Sequence, residues 1–106
     1  MQSLRGEESF RRVLSEGRRQ RQGGLVVVKS PGQPGPPRVG FVVSRRSGNA
    51  VTRNRIKRRL RHAVAGRQLQ PGNDYVIIAD KQVADAEHET LVSWLQTALR
   101  GGLDGS

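Results

Sequence analysis

The spacing of apolar residues changes along the chain, and each change predicts an element. In LRGEESFRRVLSEG, Leu4 to Gly17, the residues Phe10, Val13 and Leu14 share one helical face. Glu7 and Glu8 stand near its start and Gly17 offers a stop, so a short first helix is predicted. Arg18 to Ser30 turns extended, with Leu25 to Val28 at its centre and Gly23-Gly24 as a bend or bulge between two short strands. PGQPGPP, Pro31 to Pro37, reads as a surface loop between strands, and RVGFVVS, Arg38 to Ser44, as a strand buried on at least one face.

Asn49 can cap a helix from Ala50 to Ala65 that Gly66 ends, and Ile56, Leu60, Ala63 and Val64 keep helical spacing within it. QPGNDYVIIAD supplies a turn at Pro71 to Asn73 and a strand from Tyr75 to Ala79. A last helix is predicted from Asp85 to Arg100, with Leu91, Trp94, Leu95, Ala98 and Leu99 as its apolar face. Gly101-Gly102 would end it and the tail LDGS would fray. The order helix, strands, helix, strand, helix predicts an α+β fold, an α/β sandwich. Its sheet would have about four strands, with the central helix as a crossover. At 106 residues without internal repeats, a single domain over 1–106 with a modest core is expected.

Composition narrows the classes. Aromatics are scarce, so Phe10, Phe41, Tyr75 and Trp94 are each expected to anchor the core or a binding surface, Trp94 the core. The chain has no cysteine, which excludes disulfides and thiolate zinc sites and suits a reducing cytoplasm. No apolar run approaches the roughly twenty residues of a membrane span. MQSLRGEE lacks the apolar region of a signal peptide, so a cytoplasmic protein without a membrane partner is expected.

Charge changes the picture most. The formal net charge is +10, but Met1 to Arg61 holds sixteen basic and three acidic residues, while His62 to Ser106 holds three basic and six acidic. Sixteen of the nineteen cations are Arg, the side chain suited to bidentate contact with phosphate. Ser44 to Val64 alone carries eight cations in twenty-one residues. On the central helix the apolar stripe occupies a sector about 100° wide. Arg53, Lys57 and Arg61 run beside it, Asn54 and Arg58 lie next, and Arg55, Arg59 and His62 complete the far side. Like charges at i, i+4 destabilise a lone helix by a few tenths of a kcal/mol per pair, and few acids are nearby. A polyanion is therefore the expected partner. The pattern alone leaves RNA and DNA both open, though cations around most of a sheet-backed helix suit phosphate and shape contact better than major-groove reading.

VGFVVSRRSGNAVTRNRIKRRLRHAV resembles the signature of the bacterial ribonuclease P protein subunit: a strand, a basic pair, Gly-Asn-Ala-Val, then Arg-Asn-Arg and further cations. LRGEESFRRVLSEGRR, DYVIIA and LVSWLQTAL resemble that family's opening helix, its strand after the basic helix and its closing helix. The resemblance implies a protein that binds a large catalytic RNA and assists removal of the 5′ leader from precursor transfer RNA. It implies hydrolysis by the RNA, with Mg2+ held mainly by that RNA, and no obligatory protein partner. It also implies a left-handed crossover at the basic helix, against the general rule. By the same resemblance Arg45, Arg46, Asn49, Arg53, Asn54, Arg55, Lys57, Arg58 and Arg61 would bind RNA. Phe10, Leu14, Val26 and Val28 would line a leader cleft, with Val26 and Val28 standing where many members carry an aromatic ring.

Two other classes retain the basic helix: a structural ribosomal-RNA binder and a nucleoid-type DNA binder. No Ser/His/Asp set, phosphate-cradling glycine loop or catalytic carboxylate pair accompanies the basic run, so protein-borne catalysis is not expected. His62 and His88 read as surface residues, and Asp74, Asp80 and Asp85 as turn and cap residues away from the basic surface.

Overall fold

The structure is a computed structural model and describes residues 2–103. Its elements are β1 (Gln2–Ser3), α1 (Glu7–Glu16), β2 (Arg18–Gln22), β3 (Leu25–Pro31) and β4 (Arg38–Val43). A 3-10 turn (Arg45–Ser47), α2 (Ala50–Ala65), β5 (Asn73–Ala79), α3 (Gln82–Asp85) and α4 (His88–Leu103) follow. The α+β class is as expected. The sheet has five strands in the order β1-β4-β5-β3-β2, not about four. The additional strand is the two-residue β1, which pairs parallel to β4 through Gln2 and Ser3, with Leu4 N donating to Val39 O at 2.9 Å.

β4 and β5 are adjacent and parallel, so α2 is the crossover between them, whereas β3 pairs antiparallel to both β5 and β2. The Gly23-Gly24 bend is a two-residue hairpin that sets Gln22 opposite Leu25. Gly23 has φ +54, and a Cβ there would lie 2.0 Å from Trp94 Cε2, so the indole closes over the turn. Trp94 is thus half-buried at the margin of the core rather than at its centre.

Strand alternation gives the sheet two apolar faces. Leu25, Val27, Val39, Tyr75 and Ile77 point to the side covered by α2 and α4, where Ile56, Leu60, Leu91 and Leu95 are fully buried. Val28 and Val76 point to the other side and pack with Val13 of α1. The last helix differs from its expected form: the chain breaks at Ala86, an extended residue (φ −71, ψ 144), into α3 and α4. α4 also continues through Gly101 and Gly102. Asp80 Oδ1 accepts from Gln82 N at 2.8 Å and starts α3. The expected fraying of the tail falls, from residue 104, outside the described residues.

Candidate nucleic-acid interface

Helix α2 has the predicted bounds, and its start has the predicted cause. Asn49 Oδ1 accepts from Thr52 N at 3.0 Å, a cap whose loss typically costs about 1 kcal/mol. Ile56 and Leu60 are wholly buried against the sheet, with Ala63 and Val64 nearly so. That burial fixes which faces are left for solvent. Arg45, Arg46, Asn49, Asn54, Arg55, Arg58 and Arg61 are exposed, while Arg53 and Lys57 are half-buried beside the stripe. Arg53 Nε is buried with no hydrogen-bond partner among the described residues. His62 and His88 are exposed.

Arg59 departs from the others. Its guanidinium donates to the carbonyls of Val83, Ala84 and Ala86, the end of α3, so it fastens α2 to α3 instead of standing on a free far side. No carboxylate of the described residues pairs with any cation of α2. The surface thus offers uncompensated charge, the footprint of a polyanion site.

The opposite face of the sheet carries the second candidate surface, and strand register orders it into rows. α1 lies across the middle row: Phe10 rests on Gly40, where a Cβ would come 2.3 Å from the ring's Cζ, and Val13 is buried with Val28 and Val76. The next row is Val42, Ile78 and Val26, paired in register and only partly covered. Phe10 and Leu14, both half-buried, pack from α1 against the same buried cluster as this row. The result is an apolar groove with Phe10 and Leu14 along the helix and Val26, Ile78 and Val42 as its floor. Val28 is not part of it: at 0% exposure it lies beneath α1, because the helix crosses that row and leaves only the next one open.

Sequence reasoning missed Val42 and Ile78 as floor residues and Arg19 and Arg21 beside them. The hairpin register sets Arg21 opposite Val26 and Arg19 opposite Val28, on the groove side of the edge strand. Both arginines are exposed, and Arg19 also donates to Leu14 O at 2.8 Å. The signal for Arg21 was present, since a two-residue Gly-Gly turn fixes that pairing. Arg45 and Arg46 follow β4 after Ser44 and lead into α2.

Asp74 also corrects its expected role. It is 1% exposed, on the α1 side of the sheet, and both Arg12 and Arg38 pair with it. It is no turn residue. Tyr75, on the other face, is pushed above its ordinary pKa of 10.0 by burial, against the opposing effect of Gln70 N, which donates to its hydroxyl at 3.0 Å. Among the described residues no three His, Cys, Asp or Glu come together as a metal-holding group, and no helix is long and apolar enough to cross a membrane.

A sheet-backed helix offering bare charge on one side, with an apolar groove flanked by arginines on the other, is the build of an α+β RNA-binding protein. Known proteins carry the assignment further. A family model described as Ribonuclease P matches residues 1–101. The ribonuclease P protein component of Streptomyces bikiniensis is 42% identical over 96% of this chain and 92% of its own length. That of Brucella suis is 50% identical over 56% of this chain. Among solved structures, the RNase P protein from Thermotoga maritima superposes with a TM-score of 0.81 at 26% identity, covering 93% of this chain and 96% of that one. The chain belongs to the ribonuclease P protein family, the protein component of an endoribonuclease that processes the 5′ end of transfer RNA.

Proposed function

We propose that the whole chain acts as one RNA-binding domain that holds the catalytic ribonuclease P RNA through α2 and the Arg45-Arg46 turn. In this reading the groove between α1 and the Val26–Ile78–Val42 row receives the 5′ leader of precursor transfer RNA. The observation that carries it is the set of exposed, unpaired-by-carboxylate cations Arg55, Arg58 and Arg61 on a helix whose Ile56 and Leu60 are fully buried. The protein supplies position and charge, and the RNA supplies the hydrolysis. Mg2+ belongs to this reading as an ion held mainly by the RNA. The work is placed in the cytoplasm, without an obligatory protein partner. A purely structural ribosomal-RNA role is not favoured, because the family match spans nearly the whole chain.

The test adds purified protein to a bacterial ribonuclease P RNA at low magnesium and follows removal of the 5′ leader. Protein plus RNA is expected to cleave under conditions where either alone is inactive. Correctly placed cleavage by RNA-free protein would contradict the reading.

A further inference from the structure

The flank of α1 away from the groove is held by a small ionic cluster. Arg38 of β4 donates through Nε to Asp74 Oδ1 and through Nη2 to Asp74 Oδ2, both at 2.9 Å, across parallel strands in register. Arg12 of α1 donates through Nη2 to the same Oδ2, and through Nη1 to Pro31 O at 3.0 Å and Ser30 Oγ at 3.5 Å. The Asp74 side chain is 1% exposed, whereas those of Arg12 and Arg38 are 33% and 28% exposed. Gly32 closes over the carboxylate: a Cβ there would sit 2.6 Å from Oδ1.

These contacts lie on the Arg38–Asp74–Ser30 row, one side of the row that α1 crosses, and the groove lies on the other side. Val13, wholly buried in the middle, opposes lifting of the helix. Charged hydrogen bonds are directional. Arg12 is two residues from both Phe10 and Leu14, the helix side chains that meet the groove. A roll of α1 released on the Arg12 side would move both relative to Val26, Ile78 and Val42.

We infer that Asp74, with Arg12 and Arg38, is a positioning residue for the leader groove: the cluster fixes the roll of α1 and so the groove's width. This rests on the reading of the groove given above. Asp74 is too buried to touch RNA, so any effect of its removal on RNA passes through the helix.

The experiment uses full-length protein, alone and reconstituted with the catalytic RNA, and compares Arg12→Gln, Arg12→Lys and Asp74→Asn after thermal unfolding confirms that each is folded. Arg12→Gln leaves the Arg38–Asp74 pair intact and decides the matter if Asp74→Asn does not fold. Arg12→Gln should speed amide exchange in α1 relative to the sheet. It should weaken precursor binding roughly tenfold, the scale of one charge-assisted hydrogen bond, with mature transfer RNA and the RNA subunit bound as before. Folded Asp74→Asn should lose precursor the same way, and Arg12→Lys should recover most of the loss. The salt dependence of precursor binding should not change. Three results would overturn the inference: unchanged α1 exchange in Arg12→Gln, equal losses for precursor and mature transfer RNA, or a salt slope shallower by about one, which would mean Arg12 meets a phosphate directly. If wild-type holoenzyme shows no preference for a leader, the groove reading fails instead, and the exchange comparison still decides whether the cluster anchors α1.

Discussion

The ring of Phe10 lies on the backbone of Gly40, where a Cβ at that position would collide with it, 2.3 Å from Cζ and 2.5 Å from Cε2. The absent Cβ lets α1 settle onto the sheet while Phe10 still faces the open row beside it. Gly40→Ala should therefore push the ring outward, at a cost of about 1 to 3 kcal/mol from overpacking. Chemical denaturation measures the cost, and an unchanged midpoint would mean the ring has room elsewhere.

Truncating the ring itself separates two roles. Phe10 is half-buried, so Phe10→Ala should cost less stability than the about 3 to 5 kcal/mol typical of a core phenylalanine. If a leader base stacks on it, the same variant should weaken precursor by about 1 to 3 kcal/mol and leave mature transfer RNA unaffected. Affinities for both RNAs, measured beside thermal unfolding, check this. A destabilised variant with unaltered preference for precursor would make Phe10 a core residue only.

Arg59 should behave unlike its neighbours on α2. Arg59→Gln removes donors to three carbonyls at the end of α3 and should destabilise folding by about 1 to 3 kcal/mol. Arg55→Gln and Arg58→Gln, at exposed positions, should stay within about 0.5 kcal/mol of wild type. Denaturant midpoints of the three variants are the measurement.

Tyr75 predicts the alkaline limb of stability. Its folded pKa is raised by burial, so the native state favours the neutral phenol. The contribution is complete below the ordinary value of 10.0 and is lost as pH rises through the folded value. Unfolding followed at about pH 8 and about pH 11 should show a drop in wild type that Tyr75→Phe reduces.

Local signals carried most of the fold. α2 was legible to the residue because Asn49 and Gly66 bracket a clean apolar stripe, and the hairpin was legible in Gly23-Gly24. β1 was not, since two polar residues have no periodicity and are ordered only by docking on β4. The break at Ala86 has no glycine or proline to announce it. Val26 and Val28 entered through the family resemblance, and they do share one face of β3. Which of them stays open depends on where α1 crosses, a matter of packing between distant segments. Asp74 looked like a turn residue because its partners, Arg12 and Arg38, lie far from it in the chain.

The central claim is that α2 and its preceding turn are the grip on the catalytic RNA, and the salt dependence of that affinity tests it most directly. If the five exposed cations Arg45, Arg46, Arg55, Arg58 and Arg61 meet phosphates, log K against log salt should fall with a slope of about −3.5 to −4.5. In the variant Arg55→Gln/Arg58→Gln/Arg61→Gln the slope should become shallower by about two to three. Identical slopes for wild type and the triple variant would contradict the account, because the charge released on binding would then come from another surface.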